Sequence, residues 1–564
     1  MKHIIIKTAV AGLMAVGLAS CADDLNITPI DPNSSGSYDP QELLAKQYAT
    51  LAVTGQMGPN GSGDISGDEG ETGYWRTTFN LQELCTDECA WAWQSDQDIP
   101  AITNIAWTSS SARVNWAWQR LAFNITLFNQ FIFEQTGKMD DDVIAEVRFL
   151  RALHYWNFLD LFHAGPFKVD FNFEKPEYKT GAELYAWLDQ ELTEIEPMLK
   201  PAGTYNSNDN FGRADAGAAY ALHARLALNA EAYTNGAVKD YQKAIDYCNK
   251  VIGCGAYDLS RNEKNGYSGY AQLFMGDNDY NPEAMQEIIF PIRQDGVKTQ
   301  AYSGSTYLIA ATRGAGMPYL GTTASWTCIF SRPTLVAKFF PNPEDCPVAT
   351  ADELAASELP TGTEVEVIAA DAQLGGSTAE ILAAANDDRA LFYAGVGGGT
   401  RTLSPGKQIT GWLNGYSIVK WQNLRADQTN PSNASFMDTD IPLFRLAEMY
   451  LTRAEAEWRL GQSDKALADL NELRNRAHAP VFTSVTEDIL CDEWCREFYL
   501  EGRRRSDLVR FGRFTSSKYL WDFKGSVPGG TGIDAHFNVY PLPADEVSAN
   551  KNLKQNPGYT DTSI

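Results

Sequence analysis

Tryptophan is the side chain with the clearest potential for ligand binding in this sequence. Six of the 14 tryptophans lie between Trp75 and Trp118. Trp91 and Trp93 stand two residues apart in the polar, acidic stretch ECAWAWQSD, which shows no helical repeat. If this stretch is extended, alternation places both rings on one face. A rigid ring with a polar edge matches the C–H face of a sugar, so we predict that the pair stacks on carbohydrate; the alternative is that both rings pack beneath the scaffold.

The sequence contains none of the common catalytic motifs. H-E-x-x-H, G-x-S-x-G and the P-loop lysine motif are missing, and the chain has only 6 histidines. A carboxylate pair of the glycoside hydrolase type stays open as an alternative, because 72 acidic residues bring two carboxylates together by chance. We therefore predict that the protein is not an enzyme.

The charge balance excludes one class of partner. The chain has 46 Lys and Arg against 72 Asp and Glu, a formal net charge of −26. A surface of this sign repels phosphate backbones, so we expect no nucleic-acid partner.

The N-terminal segment has the pattern of an export and anchoring signal. Residues 1–20 combine a short basic start with an apolar run and end in the letters LAS before Cys21, which is the spacing of a lipoprotein signal peptide. We predict that Cys21 is lipidated; an ordinary signal peptide is the alternative. Residues 21–39 are polar and suit a tether. Asp23 and Asp24 resemble an acidic export signal, so we expect a lipid anchor in the outer membrane, facing the cell exterior.

Helical periodicity dominates the rest of the chain. Apolar residues recur at three- and four-residue intervals in four segments, 112–133, 141–162, 181–199 and 213–233. Two further segments, 221–252 and 443–477, have the alanine pattern of tetratricopeptide-type helix pairs, in which small residues let two antiparallel helices approach closely.

Two long stretches depart from this periodicity. Residues of about 53–110 and 255–440 are rich in Gly, Thr, Ser and Asp, and irregular segments on a rigid scaffold are where binding sites are common. We predict a mostly α protein with one domain over 40–564. Tetratricopeptide-like helix pairs form its scaffold, and the large irregular insertions carry the ligand site.

Several segments together resemble a known family. They are YWRTTFNLQELCTDECAWAWQSDQDIP (74–100), 146–167, 282–308, 438–458, REFYLEGRRRSDLVRFG (496–512) and 539–559. All of them are similar to the SusD/RagB family of outer-membrane glycan-binding lipoproteins, and the loop segments resemble the members of that family that bind starch. The resemblance implies capture of starch or maltooligosaccharides without catalysis, and their delivery to a SusC-like TonB-dependent transporter.

The resemblance also implies roles for individual residues. Trp91, Trp93, Tyr302 and Trp326 are expected to form a curved aromatic arc that fits the coil of an α-1,4-glucan. Arg76 is expected to donate hydrogen bonds to sugar hydroxyls, and Asp68 to accept them. The resemblance to the starch-binding members implies an asparagine at the position of Asp96, so Asp96 is a departure from them, and a carboxylate has no N–H to donate. These seven residues are the predicted ligand site.

The same resemblance implies a structural calcium site. Asp279, Asp438 and Asp440 are its predicted ligands, because calcium takes oxygen donors. Solvated surface positions or helix caps are the alternative for these residues. No cofactor is expected for binding itself. Three other functions stay open: a binder of another glycan, a glycoside hydrolase and a protein–protein adaptor.

Overall fold

The described part of the chain is mostly helical, which confirms the predicted fold class. The computed structural model describes residues 39–61, 63–65, 69–206, 209–314, 317–349, 376–395, 401–403, 409 and 411–560. The predicted signal peptide, Cys21 and Asp68 lie outside these residues. The chain divides into two units, 1–46 and 47–564, and the description below concerns the second. One domain from residue 40 stays a prediction.

The helices of the described residues are numbered in chain order. They are α1 Pro40–Ala52, α2 Tyr74–Glu83, α3 Ile99–Thr103, α4 Ala112–Gln135, α5 Asp141–Phe162, α6 Gly181–Ile195, α7 Ala216–Leu228, α8 Ala230–Tyr233, α9 Tyr241–Ile252, α10 Gly269–Gln272, α11 Pro282–Met285, α12 Gly304–Thr312, α13 Pro333–Phe339, α14 Thr378–Ala385, α15 Leu446–Arg459, α16 Ser463–Arg476, α17 Glu487–Phe498, α18 Arg504–Arg510 and α19 Ala544–Ala549.

Strands are short and form four two-stranded antiparallel sheets in the described residues, β1 with β5, β2 with β3, β4 with β8 and β6 with β7. Their bounds are β1 Cys89–Trp91, β2 Ala164–Phe167, β3 Glu177–Thr180, β4 Ile288–Ile292, β5 Ile329–Ser331, β6 Phe392–Tyr393, β7 Ser417–Ile418 and β8 Ile441–Arg445.

Local sequence signals set the ends of the long scaffold helices. α5 has the bounds predicted from periodicity, with Asp141 and Asp142 in its first turn, where the helix dipole favours negative charge. It ends at His163, whose φ of 49° is left-handed and stops the helix. α6 begins with a capping box, in which the side chains of Thr180 and Glu183 bond reciprocally to backbone N–H groups.

The two predicted tetratricopeptide-like pairs form as helix pairs and pack together. α7 packs against α9 and α15 against α16, and α9 also packs against α15. The alanines at these contacts, Ala227, Ala244, Ala454 and Ala466, are fully buried. Segments that are about two hundred residues apart in sequence therefore form one helical layer, which supports the irregular insertions.

Strand pairing brings the two insertions together. β1 lies in the first insertion and pairs with β5 of the second, with Trp91 opposite Ile329. The described helices of the second insertion are short, the longest being α12 with 9 residues. This pairing places the predicted tryptophans of the first insertion beside the aromatic residues of the second.

A buried ion pair fixes the start of β1 to the C-terminal helices. Arg504 Nε lies 2.8 Å from Asp87 Oδ1, and both side chains are buried. Burial alone would raise the pKa of Asp87, but the Arg504 guanidinium and the Lys338 ammonium outweigh it and hold that pKa well below its ordinary value. The backbone N–H of Leu500 also donates to Glu88 Oε2 at 2.9 Å. The predicted binding segment is thus held by charge as well as by β-pairing.

Candidate functional site

Five aromatic side chains make a continuous series of ring contacts, which we call the aromatic ladder: Trp93, Trp91, Tyr307, Trp326 and Tyr302. The centroid distances between successive rings are 6.1, 5.9, 6.3 and 6.1 Å. The structure therefore brings together all four aromatic residues predicted from the sequence. It adds a fifth, Tyr307, which the sequence analysis missed.

The ladder has an exposed side and a buried side. Trp93 is 42% exposed, Tyr302 is 40% exposed and Trp326 is partly buried. Trp91 is only 1% exposed, so the expectation that it offers an exposed stacking face is wrong. β1 ends at Trp91, and the rings of Trp91 and Trp93 meet edge to face at 89°. Three rings are left to meet a ligand.

Tyr307 is the buried centre of the ladder. Its ring stacks on Trp91 at an interplanar angle of 25° and also contacts Trp326. Its hydroxyl donates to Asn80 Oδ1 at 2.6 Å, and burial raises its pKa well above the ordinary value. Every residue of α12 is buried, so the segment has no amphipathic pattern that could have singled out Tyr307.

The backbone around Trp326 is held in a strained conformation. Thr327 has a φ of 54°, which is unfavourable for a β-branched residue and costs about 1–3 kcal/mol. The N–H of Trp326 donates to the carbonyl of Ala310 at 2.7 Å, and the N–H of Ala92 donates to the carbonyl of Cys328 at 2.7 Å. These bonds hold the strained segment that carries Trp326 beside Tyr302.

Arg76 lies under the ladder, where it contacts protein groups. Its Nη1 donates to the carbonyl of Tyr302 at 3.0 Å and its Nη2 to Glu71 Oε1 at 3.2 Å. Its guanidinium carbon lies 4.6 Å from the ring centroid of Tyr307 and 5.7 Å from that of Trp326. The side chain is 8% exposed. Both Nη groups thus already donate within the protein, and the predicted bonds from Arg76 to sugar stay a prediction.

Glu69 binds the backbone N–H of Tyr302, whereas Arg76 binds its carbonyl. Its Oε2 accepts the N–H of Tyr302 at 3.0 Å, and its Oε1 accepts the hydroxyl of Thr54. Gly70 follows with a φ of 86°, and a Cβ there would lie 2.2 Å from the carbonyl oxygen of Tyr302. Glycine is required for this close approach. Together with Arg76, Glu69 fixes both polar groups of the residue that carries an exposed ring.

Asp96 is joined to the buried side of the ladder. Its Oδ2 accepts the indole N–H of Trp91 at 3.1 Å, and its backbone N–H donates to the carbonyl of Trp93 at 3.2 Å. An asparagine could also accept the indole N–H through its carbonyl oxygen, but it would add an NH₂ donor. Asp96→Asn would therefore change what this position can offer a sugar while leaving the indole bond intact.

The three aspartates predicted as calcium ligands lie in ion pairs with arginine. Arg293 lies between Asp279 and Asp440, at 2.8 Å from a carboxylate oxygen of each. Asp438 pairs with Arg425 at 2.8 Å. Within the described residues, no group of three or more His, Cys, Asp or Glu could hold a metal ion. As placed, the three carboxylates do not fit calcium, because guanidinium groups take the positions that the cation needs.

The arrangement of the ladder is suited to binding. Its exposed rings offer apolar faces with polar edges, which can stack on sugar rings. Three carboxylates joined to the ladder, Glu69, Glu71 and Asp96, each accept hydrogen bonds from protein groups. Burial of the ladder's lower side, by Trp91, Tyr307 and Arg76, keeps the exposed rings in fixed positions.

Comparison with known proteins gives the family. Residues 400–559 match the family model described as the SusD family. The sequence is 52% identical to the starch-binding protein SusD of Bacteroides thetaiotaomicron, over 98% of this chain and 98% of that protein. The chain belongs to the SusD family. This confirms the family predicted from the sequence.

Solved structures of the SusD family have the same fold. A SusD-like protein from Bacteroides fragilis is similar with a TM-score of 0.65 and 20% identity, covering 94% of this chain and 100% of that one. A laminarin-binding SusD-like protein has a TM-score of 0.62 and 19% identity, covering 93% and 100%. These likenesses concern the fold alone. Within the described residues of this SusD family member, no helix is both long enough and apolar enough to span a bilayer.

Proposed function

We propose that this protein is a non-catalytic, cell-surface starch-binding protein that captures starch or maltooligosaccharides on the aromatic ladder. The observation that carries the proposal is the exposure of Trp93 and Tyr302 on a ladder whose lower side is buried and braced. The 52% identity to a starch-binding protein supports the choice of an α-1,4-glucan. Binding by stacking needs no cofactor.

The proposal includes a partner and a location. The protein passes its glycan to a SusC-like TonB-dependent transporter in the outer membrane, and a lipid on Cys21 anchors it there. The sequence of the first 39 residues supports the anchor, and family membership supports the transporter. The test is co-purification of the transporter with the tagged chain from outer membranes, together with loss of membrane association on Cys21→Ala.

Native affinity electrophoresis tests the ligand. Gels containing amylopectin, dextran, levan, mannan or pectin are compared, with Trp93→Ala and Tyr302→Ala alongside the wild type. We expect amylopectin alone to retard the wild type and both substitutions to reduce the retardation. Retardation by another glycan in place of amylopectin would refute the starch assignment.

Two further measurements separate the other function classes. A glycoside hydrolase would release reducing ends from amylopectin during a long incubation, and we expect none. A protein–protein adaptor would retain its partner and lose nothing when Trp93 or Tyr302 is replaced, whereas a glycan receptor loses polysaccharide binding. Unchanged retardation in both variants would therefore contradict the proposal.

A further inference from the structure

A cavity of about 650 Å³ lies outside the aromatic ladder. No member of the ladder lines it. Its apolar walls include Leu320, Leu382, Leu391, Val419 and Leu424. The volume is within the range of roughly 300–1,000 Å³ that is typical of small-molecule sites, which combine apolar walls with a few polar groups.

Gln422 supplies a buried polar group to this cavity. The residue is 6% exposed and lines the cavity. Its backbone N–H donates to the carbonyl of Phe274 at 3.1 Å, and its carbonyl accepts the hydroxyl of Thr439 at 2.7 Å. No hydrogen bond joins its side-chain amide to another residue in the described part of the chain. Its amide is therefore free to donate and accept hydrogen bonds with a ligand in the cavity.

The direction of the Gln422 side chain follows from strand-like alternation. The next residue, Asn423, turns its amide the other way, where it donates to the carbonyl of Gly321 at 3.2 Å. Leu424 then lines the cavity again. Gln422 and Leu424 thus present one amide and one apolar wall to the same space.

Two tyrosines add phenol hydroxyls, which donate and accept hydrogen bonds as the Gln422 amide does. Tyr267 and Tyr319 line the cavity, and neither hydroxyl forms a hydrogen bond with another described residue. At the rim, His478 Nδ1 lies 2.8 Å from Asp388 Oδ2. Amide and phenol groups both donate and accept hydrogen bonds, as the hydroxyl groups of a neutral polyol do.

The charges around the cavity disfavour ionic ligands. Arg261 is the lining residue with a permanent positive charge, and its guanidinium is already paired with Glu472. Glu263 and Asp388, also lining residues, are acidic and would repel an anion. A metal site is not formed by the described residues. A neutral ligand with several hydroxyls fits the remaining chemistry.

We propose that this cavity is a second saccharide site that takes a neutral mono- or disaccharide. Gln422 hydrogen-bonds to the sugar hydroxyls at the buried end, and the leucine walls pack against the C–H face of the sugar. The site is separate from the ladder, so it binds whether or not a polysaccharide occupies the exposed rings.

The test uses the full chain with the exposed ladder rings removed. In the Trp93→Ala/Tyr302→Ala variant, calorimetric and ligand-observed NMR titrations with glucose and maltose should show saturable binding of one sugar. Adding Gln422→Leu should weaken that binding about tenfold, the cost of one buried hydrogen-bonding group. Gln242→Leu, an exposed glutamine of α9, is the matched control and should change nothing.

A second variant keeps the test decisive if Gln422→Leu unfolds the chain. Leu382→Trp fills the cavity from the partly exposed helix α14, and circular dichroism checks that each variant is folded. Absence of saturable glucose or maltose binding in the ladder-deficient variant overturns the proposal. So does binding that survives Leu382→Trp in a folded chain. Starch retardation depends on the ladder, so failure of the cavity site is distinguishable from failure of the proposed function.

Discussion

Replacing Tyr302 by alanine removes one of the two most exposed rings of the ladder and should weaken starch binding strongly. An aromatic side chain has roughly 150–250 Å² of surface, and 40% of the Tyr302 surface is exposed, so about 80 Å² is free to cover a sugar. At about 25 cal/mol per Å², this area contributes at most ~2 kcal/mol. Because about 1.4 kcal/mol corresponds to a factor of ten, Kd should rise by up to about thirtyfold.

Titration calorimetry with maltoheptaose measures this change. Tyr302→Phe keeps the ring and should bind within about twofold of the wild type, because an exposed hydroxyl adds little net free energy. Tyr280→Ala is the matched control, since Tyr280 is 47% exposed and its side chain contacts Arg425 and Asp427. A Tyr302→Ala variant that is folded and binds as well as Tyr280→Ala would refute the role of the ladder.

Three further predictions follow from other contacts. Glu69→Gln should weaken maltoheptaose binding severalfold in the wild type but not in Tyr302→Ala, because Glu69 holds the backbone that positions the Tyr302 ring. Equal effects in both backgrounds would show that Glu69 acts on another part of the site. Asp96→Asn should tighten binding by up to about tenfold, the value of one added hydrogen-bond donor, measured by the same titration; weaker binding would contradict this. Asp87→Asn should destabilise the fold by about 3–5 kcal/mol in urea unfolding, because it removes the 2.8 Å buried ion pair and leaves Arg504 only a 3.8 Å approach to Glu88.

The Asp87 prediction has a pH dependence with a defined sign. The pKa of Asp87 is lowered in the folded state, so its ion pair contributes full stability above the ordinary aspartate pKa of about 4. The stability difference between wild type and Asp87→Asn should therefore be constant from pH 7 to about pH 5. It should shrink as the pH falls further, because the unfolded chain of the wild type then binds a proton. Urea unfolding at a series of pH values measures this, and a difference that grows on acidification would contradict the assignment.

Helix positions were largely predictable because they depend on local sequence. Apolar spacing predicted α5 over its observed bounds, and alanine spacing predicted both tetratricopeptide-like pairs. The type of ligand surface was also visible, since Trp91 and Trp93 stand in a polar segment without helical repeat. These properties involve residues that are close in sequence, so the amino-acid types alone carry the information.

Tertiary structure alone decided which side chains of the site are free. Trp91 and Trp93 are near neighbours in sequence, yet one is 1% and the other 42% exposed, because the pairing of β1 with β5 buries only the first. The central position of Tyr307 and the bonds from Arg76 to the Tyr302 peptide join segments more than two hundred residues apart. The pairing of Asp440 with Arg293, which is 147 residues away in the sequence, also depends on tertiary packing. The sequence determined the helices and the chemistry that is available, whereas exposure and pairing depend on long-range packing that no local pattern encodes.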